Sequence, residues 1–181
     1  SAQAIGTKLT GETACFSFYP AKILGAYGDG GAVVTNNEEI YELIRKLRIH
    51  GGHPKPEMVG YTSCLDNLQA AVLNVKFKYL NEAVKRRKWI AEKYNKVFNR
   101  ETREIYQDYI IFDYKKDEFK TFLENEGIEC MNDVYPFPKE YEKPKMVRGW
   151  EQFAFRIPCN ENLTDEEVNF ITDKLNEFLT K

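Results

Sequence analysis

Glycines at positions 25, 28, 30 and 31 crowd into the stretch FSFYPAKILGAYGDGGAVV, which runs from residue 16 to residue 34 of this 181-residue chain. Glycine serves where the backbone must take positive φ or pass close to another group, so a cluster of this kind turns the chain. On either side, residues 13–19 (TACFSFY) and 31–35 (GAVVT) are rich in β-branched and aromatic residues and bounded by glycines. That pattern predicts two short strands joined by a loop carrying Lys22.

Helical patterns follow. Asn36 offers an N-cap, with Glu39 three residues later completing a capping-box pattern. Ile40, Leu43, Ile44 and Leu47 then repeat at helical spacing, and the helix should end near His50-Gly51-Gly52. Pro54 and Pro56 mark residues 50–62 as a loop. From residue 65 to about 99 the pattern is helical, with Leu68, Ala71, Val72 and Val75 in one stripe. Val84, Ile90, Tyr94, Val97 and Phe98 form another, on a second helix after a break near Asn81. Lys85, Arg86, Arg87 and Lys88 read as the solvated face of that helix.

The character changes after Arg103. Residues 105–114 read as a strand, 117–126 as a short helix closed by Gly127, 128–135 as extended, and 151–157 as a strand. Residues 136–149 lack periodicity. A last helix opens with the capping box Thr164–Glu167 and buries Val168, Ile171, Leu175, Phe178 and Leu179. The expected plan is a β-loop-β-α-α-α block over residues 1–102 and a smaller α+β block over 103–181.

Composition excludes several function classes. A formal net charge of −2 gives no general attraction to nucleic acid or anionic membranes, and no apolar run is long enough to span a bilayer. The first dozen residues lack the pattern of a signal peptide. Cys15, Cys64, Cys130 and Cys159 are scattered without a CxxC pair, which argues against zinc and for reduced thiols in a cytoplasmic protein. His50 and His53 are too close-set for a helical metal pair, so no metal is expected.

Lys22 is open to two readings on its residues alone. It is a solvent-exposed charge on a glycine-rich loop, or an amine held where it can lose a proton and condense with a carbonyl. Ser17 nearby could bind a phosphate, which would suit pyridoxal phosphate.

A resemblance separates them. SAQAIGTKLTGE, CFSFYPAKILGAYGDGGAVVTN, LRIHG and GYTSCLDNLQAAVLNVKFKYL resemble the C-terminal half of nucleotide-sugar aminotransferases of the DegT/DnrJ/StrS type, and the similarity continues through YPFP to IPCNENLTDEEV. The resemblance implies an α/β fold, the C-terminal portion of a fold-type I pyridoxal phosphate-dependent transferase, with part of the large domain plus a small α+β domain. It implies that Lys22 forms the Schiff base with pyridoxal 5′-phosphate and later shuttles a proton. Ser17 then matches the serine on the cofactor phosphate, and Gln3 the glutamine at the cofactor ring. The implied reaction moves an amino group from glutamate or glutamine to a nucleotide-linked keto-sugar, in a homodimer or higher oligomer whose subunits share each site.

The sequence also departs from that pattern. The family's aspartate at the pyridine nitrogen falls before Ser1, as do its phosphate-binding glycine-threonine loop and its stacking aromatic. Thr62 and Cys64 stand where the family has asparagine and arginine, and Val134 stands where it commonly has histidine. The chain looks shortened between Pro138 and Trp150 and at IYQDYIIFDY. Two hypotheses follow: a truncated or split aminotransferase, inactive without an N-terminal-half partner chain, or a non-catalytic module for oligomerisation or interaction. The Leu65–Tyr79 helix is the expected contact.

Overall fold

A computed structural model describes residues 3–6, 8–132 and 150–181. The expectations for Val134 and for residues 136–149 lie outside them. The chain divides into two compact units, residues 1–82 and 83–181.

In the first unit, β1 (Thr13–Ser17) and β2 (Gly31–Thr35) pair antiparallel, with Cys15 opposite Val33 and Ser17 opposite Gly31. β1 stops two residues short of the expected strand, because Phe18 and its successors turn into the loop. Helix α1 (Glu38–Leu47) follows. Its cap is Asn37 rather than Asn36: the Asn37 Oδ1 accepts the Ile40 N–H at 3.2 Å, while its Nδ2 donates to Glu12 at 2.8 Å. A short side-chain acceptor serves either position, and the bond to Glu12 favours the later one.

The loop after α1 returns on itself through a bridge between Ile49 and Thr62. Helix α2 (Asn67–Lys76) runs into a 3₁₀ turn at Phe77–Tyr79, which is the break expected near Asn81. The core of this unit is small: Leu24, Ala26 and Leu73, flanked by Ile5, Phe18, Leu65 and Leu80. Val33, Val34, Leu68, Val75, Phe77 and Tyr79 remain exposed, although an isolated two-stranded hairpin is marginal in water.

Helix α3 (Leu80–Phe98) contributes its buried face, Arg87, Ile90, Ala91, Tyr94 and Asn95, to the second unit. There β3 (Tyr109–Phe112), β4 (Met131–Asn132) and β5 (Ala154–Ile157) form an antiparallel sheet in the order β3-β5-β4. Helix α4 (Lys116–Asn125) is closed by Gly127 at φ +81°. Residues expected to begin the last strand instead make one helical turn, α5 (Trp150–Phe153), before β5. Helix α6 (Asp165–Leu179) carries the full capping box of Thr164 and Glu167. Phe119 stacks on Phe178 with ring centres 4.0 Å apart and meets Phe155 edge-on.

The basic run on α3 is not uniformly solvated, and Arg87 corrects that expectation. Its side chain is buried, its Nε donates to Glu161 at 2.6 Å, and its Nη1 donates to the Gln107 and Cys159 carbonyls at 2.7 and 2.9 Å. A buried guanidinium is tolerable only when its charge is paired and its buried donors are bonded in this way. Arg86 pairs with Asp165 at 2.7 Å and lies over the Trp89 ring. Beside Arg87, Tyr94 donates to the Pro158 carbonyl at 3.1 Å and Tyr109 to Asn95 at 2.8 Å. Burial pushes the Cys159 and Cys130 thiols up to about 12, and the Tyr109 phenol likewise.

Candidate active site

Lys22 sits in the middle of the loop 19–25, and backbone hydrogen bonds close that loop at its base. The Phe18 N–H donates to the Gly30 carbonyl and the Phe18 carbonyl accepts from the Ala26 N–H, both at 2.8 Å. Within the loop the Lys22 N–H donates to the Tyr19 carbonyl at 2.9 Å, and the Tyr19 N–H donates to Ser17 Oγ at 3.3 Å. The two polar groups of Tyr19 therefore tie Ser17, at the end of β1, to Lys22. Serine hydroxyls commonly accept from an amide two residues on, which is why a strand ending in serine turns so readily.

Gly25 makes the turn possible by absence of a side chain. A Cβ there would run into the Pro20 carbonyl oxygen and lie 2.8 Å from the Tyr19 carbonyl oxygen, so only glycine permits the approach. The residues on either side of it, Leu24 and Ala26, are buried against Leu73 of α2. Lys76 of α2 donates to the Gly25 carbonyl at 2.6 Å, and Gln69 Oε1 accepts the Tyr27 N–H at 2.8 Å.

Of the three residues singled out in the sequence, the structure ties two together. Ser17 and Lys22 are half-buried and share the Tyr19 backbone. Among the described residues, the Lys22 ammonium has no hydrogen-bond or ion-pair partner. Gln3 is exposed in a turn, and Ile5, two residues on, packs on the Leu24–Ala26 cluster beside the loop. Thr62 and Cys64 line a separate open groove of about 870 Å³ with Phe16, Val33, Arg45 and Arg48, and Lys22, Ser17 and Gln3 do not line it. There Thr62 Oγ1 lies 3.3 Å from His50 Nδ1, and Cys64 Sγ approaches the Arg48 carbonyl at 3.6 Å. Gln69 and Lys76 carry no motif of their own in the sequence; only their seven-residue spacing on a predicted helix places them on one face.

The family model for DegT/DnrJ/EryC1/StrS aminotransferases matches residues 1–176. The chain belongs to that family. A pleiotropic regulatory protein of Geobacillus stearothermophilus is 32% identical over 98% of this chain and 56% of its own length. The dTDP-3-amino-3,4,6-trideoxy-alpha-D-glucose transaminase of Streptomyces venezuelae is 34% identical over 76% of this chain and 41% of its own. The crystal structure of a DegT/DnrJ/EryC1/StrS aminotransferase from Brucella abortus superposes with a TM-score of 0.84 at 28% identity, over 94% of this chain and 52% of that one. The chain thus spans about half the length of the relatives it matches, and its α/β architecture is that of the corresponding part of a fold-type I transferase.

Aminotransferases of the DegT/DnrJ/EryC1/StrS family use pyridoxal phosphate. The residues of the loop fit that group on the side they form. Lys22 offers a primary amine without a counter-ion among the described residues, and Ser17 Oγ accepts from Tyr19, which leaves its own proton free for an anion.

Proposed function

We propose that this chain forms the lysine-bearing side of the active site of a pyridoxal phosphate-dependent sugar aminotransferase, with Lys22, Ser17 and Gln3 as its cofactor contacts. The observation that carries the reading is the Ser17–Tyr19–Lys22 connection, which sets on one short turn a hydroxyl and an amine without a partner among the described residues. When bound, the cofactor supplies an electron sink and holds the amino group between the two half-reactions. Lys22 Nζ would be the covalent attachment point for the cofactor and the base that moves the proton at the amino donor's Cα. Ser17 Oγ would donate to the cofactor phosphate, and the Gln3 amide would contact the ring.

The family resemblance implies glutamate or glutamine as amino donor and a nucleotide-linked keto-sugar as acceptor, and the dTDP-sugar transaminase of S. venezuelae supports the acceptor class. No residue here matches the family's carboxylate at the pyridine nitrogen, its phosphate loop or its stacking aromatic. The proposed reaction therefore draws on protein outside these 181 residues, in the same polypeptide or in an N-terminal-half partner, and this chain alone is inactive. Its setting is the cytoplasm, in keeping with four free cysteines.

Incubating the purified protein with pyridoxal phosphate, reducing with borohydride and mapping the modified peptides tests the assignment. The expected result is one dominant pyridoxyl-lysine at Lys22 that disappears in Lys22→Ala. Label spread evenly over the surface lysines refutes it.

A second reading, a module for oligomerisation, is favoured by the exposed Leu68, Val75, Phe77 and Tyr79 on and after α2. It is compatible with the first, since this surface serves a homodimer of an active enzyme as well as a remnant.

A further inference from the structure

Three residues of α2 at helical spacing meet the segment that follows Lys22. Gln69, Leu73 and Lys76 stand at i, i+4 and i+7, one stripe of the helix. Lys76 Nζ donates to the Gly25 carbonyl at 2.6 Å. Leu73 is buried with Leu24 and Ala26. Gln69 Oε1 accepts the Tyr27 N–H at 2.8 Å, and the Lys76 ammonium also lies 5.7 Å from the centre of the Tyr27 ring. Successive residues 24–27 are thus each engaged, two through backbone groups and two through side chains.

The backbone bonds have a specific consequence. Between Gly25 and the end of the hairpin the chain is irregular, so its carbonyls and amides lack the partners that a strand or helix would give them. Gln69 and Lys76 supply those partners from a helix, whose own geometry is rigid. The segment before Lys22 is fixed by β1 and by the Phe18 bond to Gly30, and on the side after Lys22 the Ala26 N–H bond to the Phe18 carbonyl closes the loop. Without the Gln69 and Lys76 bonds, the segment after Lys22 would be held by the Ala26 bond to Phe18 and the burial of Leu24 and Ala26, with the Gly25 carbonyl and Tyr27 amide released. A displacement of an ångström at a reacting group costs orders of magnitude in rate.

We propose that Gln69 and Lys76 are positioning residues for Lys22: they act through the Tyr27 amide and the Gly25 carbonyl to set where the Lys22 amine is presented. The inference rests on the assignment of Lys22 as the cofactor lysine. It gives α2 a part in the chemistry of the site, in addition to its part in the core.

The test uses isosteric changes that keep the packing and remove one polar group each, Gln69→Met and Lys76→Met, with Gln69→Glu and Lys76→Arg as conservative partners. The rate of borohydride-trapped pyridoxal phosphate labelling at Lys22 is followed against pH, with Lys85 on α3 as internal reference and thermal melting alongside. Gln69→Met and Lys76→Met are expected to slow labelling at Lys22 roughly tenfold and to displace its pH profile, with labelling at Lys85 and the melting curve unchanged. Gln69→Glu and Lys76→Arg should return the rate to within about twofold of the parent. Labelling at Lys22 that is indifferent to both methionine substitutions overturns the inference while leaving the Lys22 assignment intact. So does slowing that tracks a lost melting transition, or that the conservative variants fail to restore. Absence of preferential label at Lys22 in the unsubstituted protein overturns the assignment itself, and this inference with it.

Discussion

Arg87 Nε and Glu161 Oε2 lie 2.6 Å apart across a sequence separation of 74 residues. The Nη1 group of the guanidinium reaches the Gln107 and Cys159 carbonyls, so one side chain on α3 joins the segment before β3 to the segment after β5. Removing it leaves two carbonyls and a carboxylate without their partner. Arg87→Met is expected to lower stability by about 2–4 kcal/mol, while Glu161→Gln, which retains an acceptor, costs about 1 kcal/mol. Urea unfolding of both variants checks the order; equal and negligible losses would remove the pair from the account of this core.

A single methyl group tests the turn around Lys22. Gly25→Ala places a Cβ against the Pro20 carbonyl, so the turn must open. We expect preferential pyridoxal phosphate labelling of Lys22 to fall more than about tenfold. Destabilisation should be about 1–3 kcal/mol. Near-ultraviolet circular dichroism from the aromatic cluster of Tyr94, Tyr106 and Tyr109 should persist, since that cluster belongs to the other unit.

The thiols sort by burial. Cys15 and Cys64 are exposed, whereas Cys130 and Cys159 are buried. A disulfide-exchange reagent should titrate two thiols rapidly in the native protein and four after unfolding. Because burial raises the Cys130 and Cys159 thiols from 9.0 to about 12, the folded state holds protons that the unfolded state releases. Their contribution is fully present below pH 9.0 and is lost as pH rises towards about 12, so the urea midpoint should fall across that window. The fall should be shallower in Cys159→Ala.

Apolar side chains after Asn67 predict association. Leu68, Val75, Phe77 and Tyr79 are all more than half exposed, an arrangement that monomeric proteins rarely leave uncovered. Sedimentation across a concentration series should show a dimer or larger species, and Leu68→Lys with Phe77→Lys should weaken it at least about tenfold. A monomer at every concentration would rule out this surface as a self-contact.

Local signals in the sequence survive in the structure and long-range ones do not. The Thr164–Glu167 capping box and the Gly127 stop are each complete within four residues, so they could be read directly. Asn36 and Asn37 are chemically identical as caps, and only Glu12, far back in the chain, distinguishes them. Arg87 sits in a basic run whose spacing suits a solvated face; its burial depends on Glu161 and two carbonyls that no local pattern reveals. The Lys22 loop was legible through its glycines and its family resemblance. Its anchors on α2 were not, because Gln69 and Lys76 lie some forty to fifty residues downstream on a helix that reads as amphipathic in the ordinary way.

The link between Ser17 and Lys22 runs through the peptide groups of Tyr19, and its aromatic ring, 54% exposed, takes no part in it. Position 19 should therefore accept almost any residue type and refuse proline, which has no N–H to give to Ser17. In a saturation library selected for Lys22 labelling, tolerance at that site would be broad with a single gap. Side-chain identity there is free to drift, while the constraint is carried by main-chain atoms that every other residue possesses.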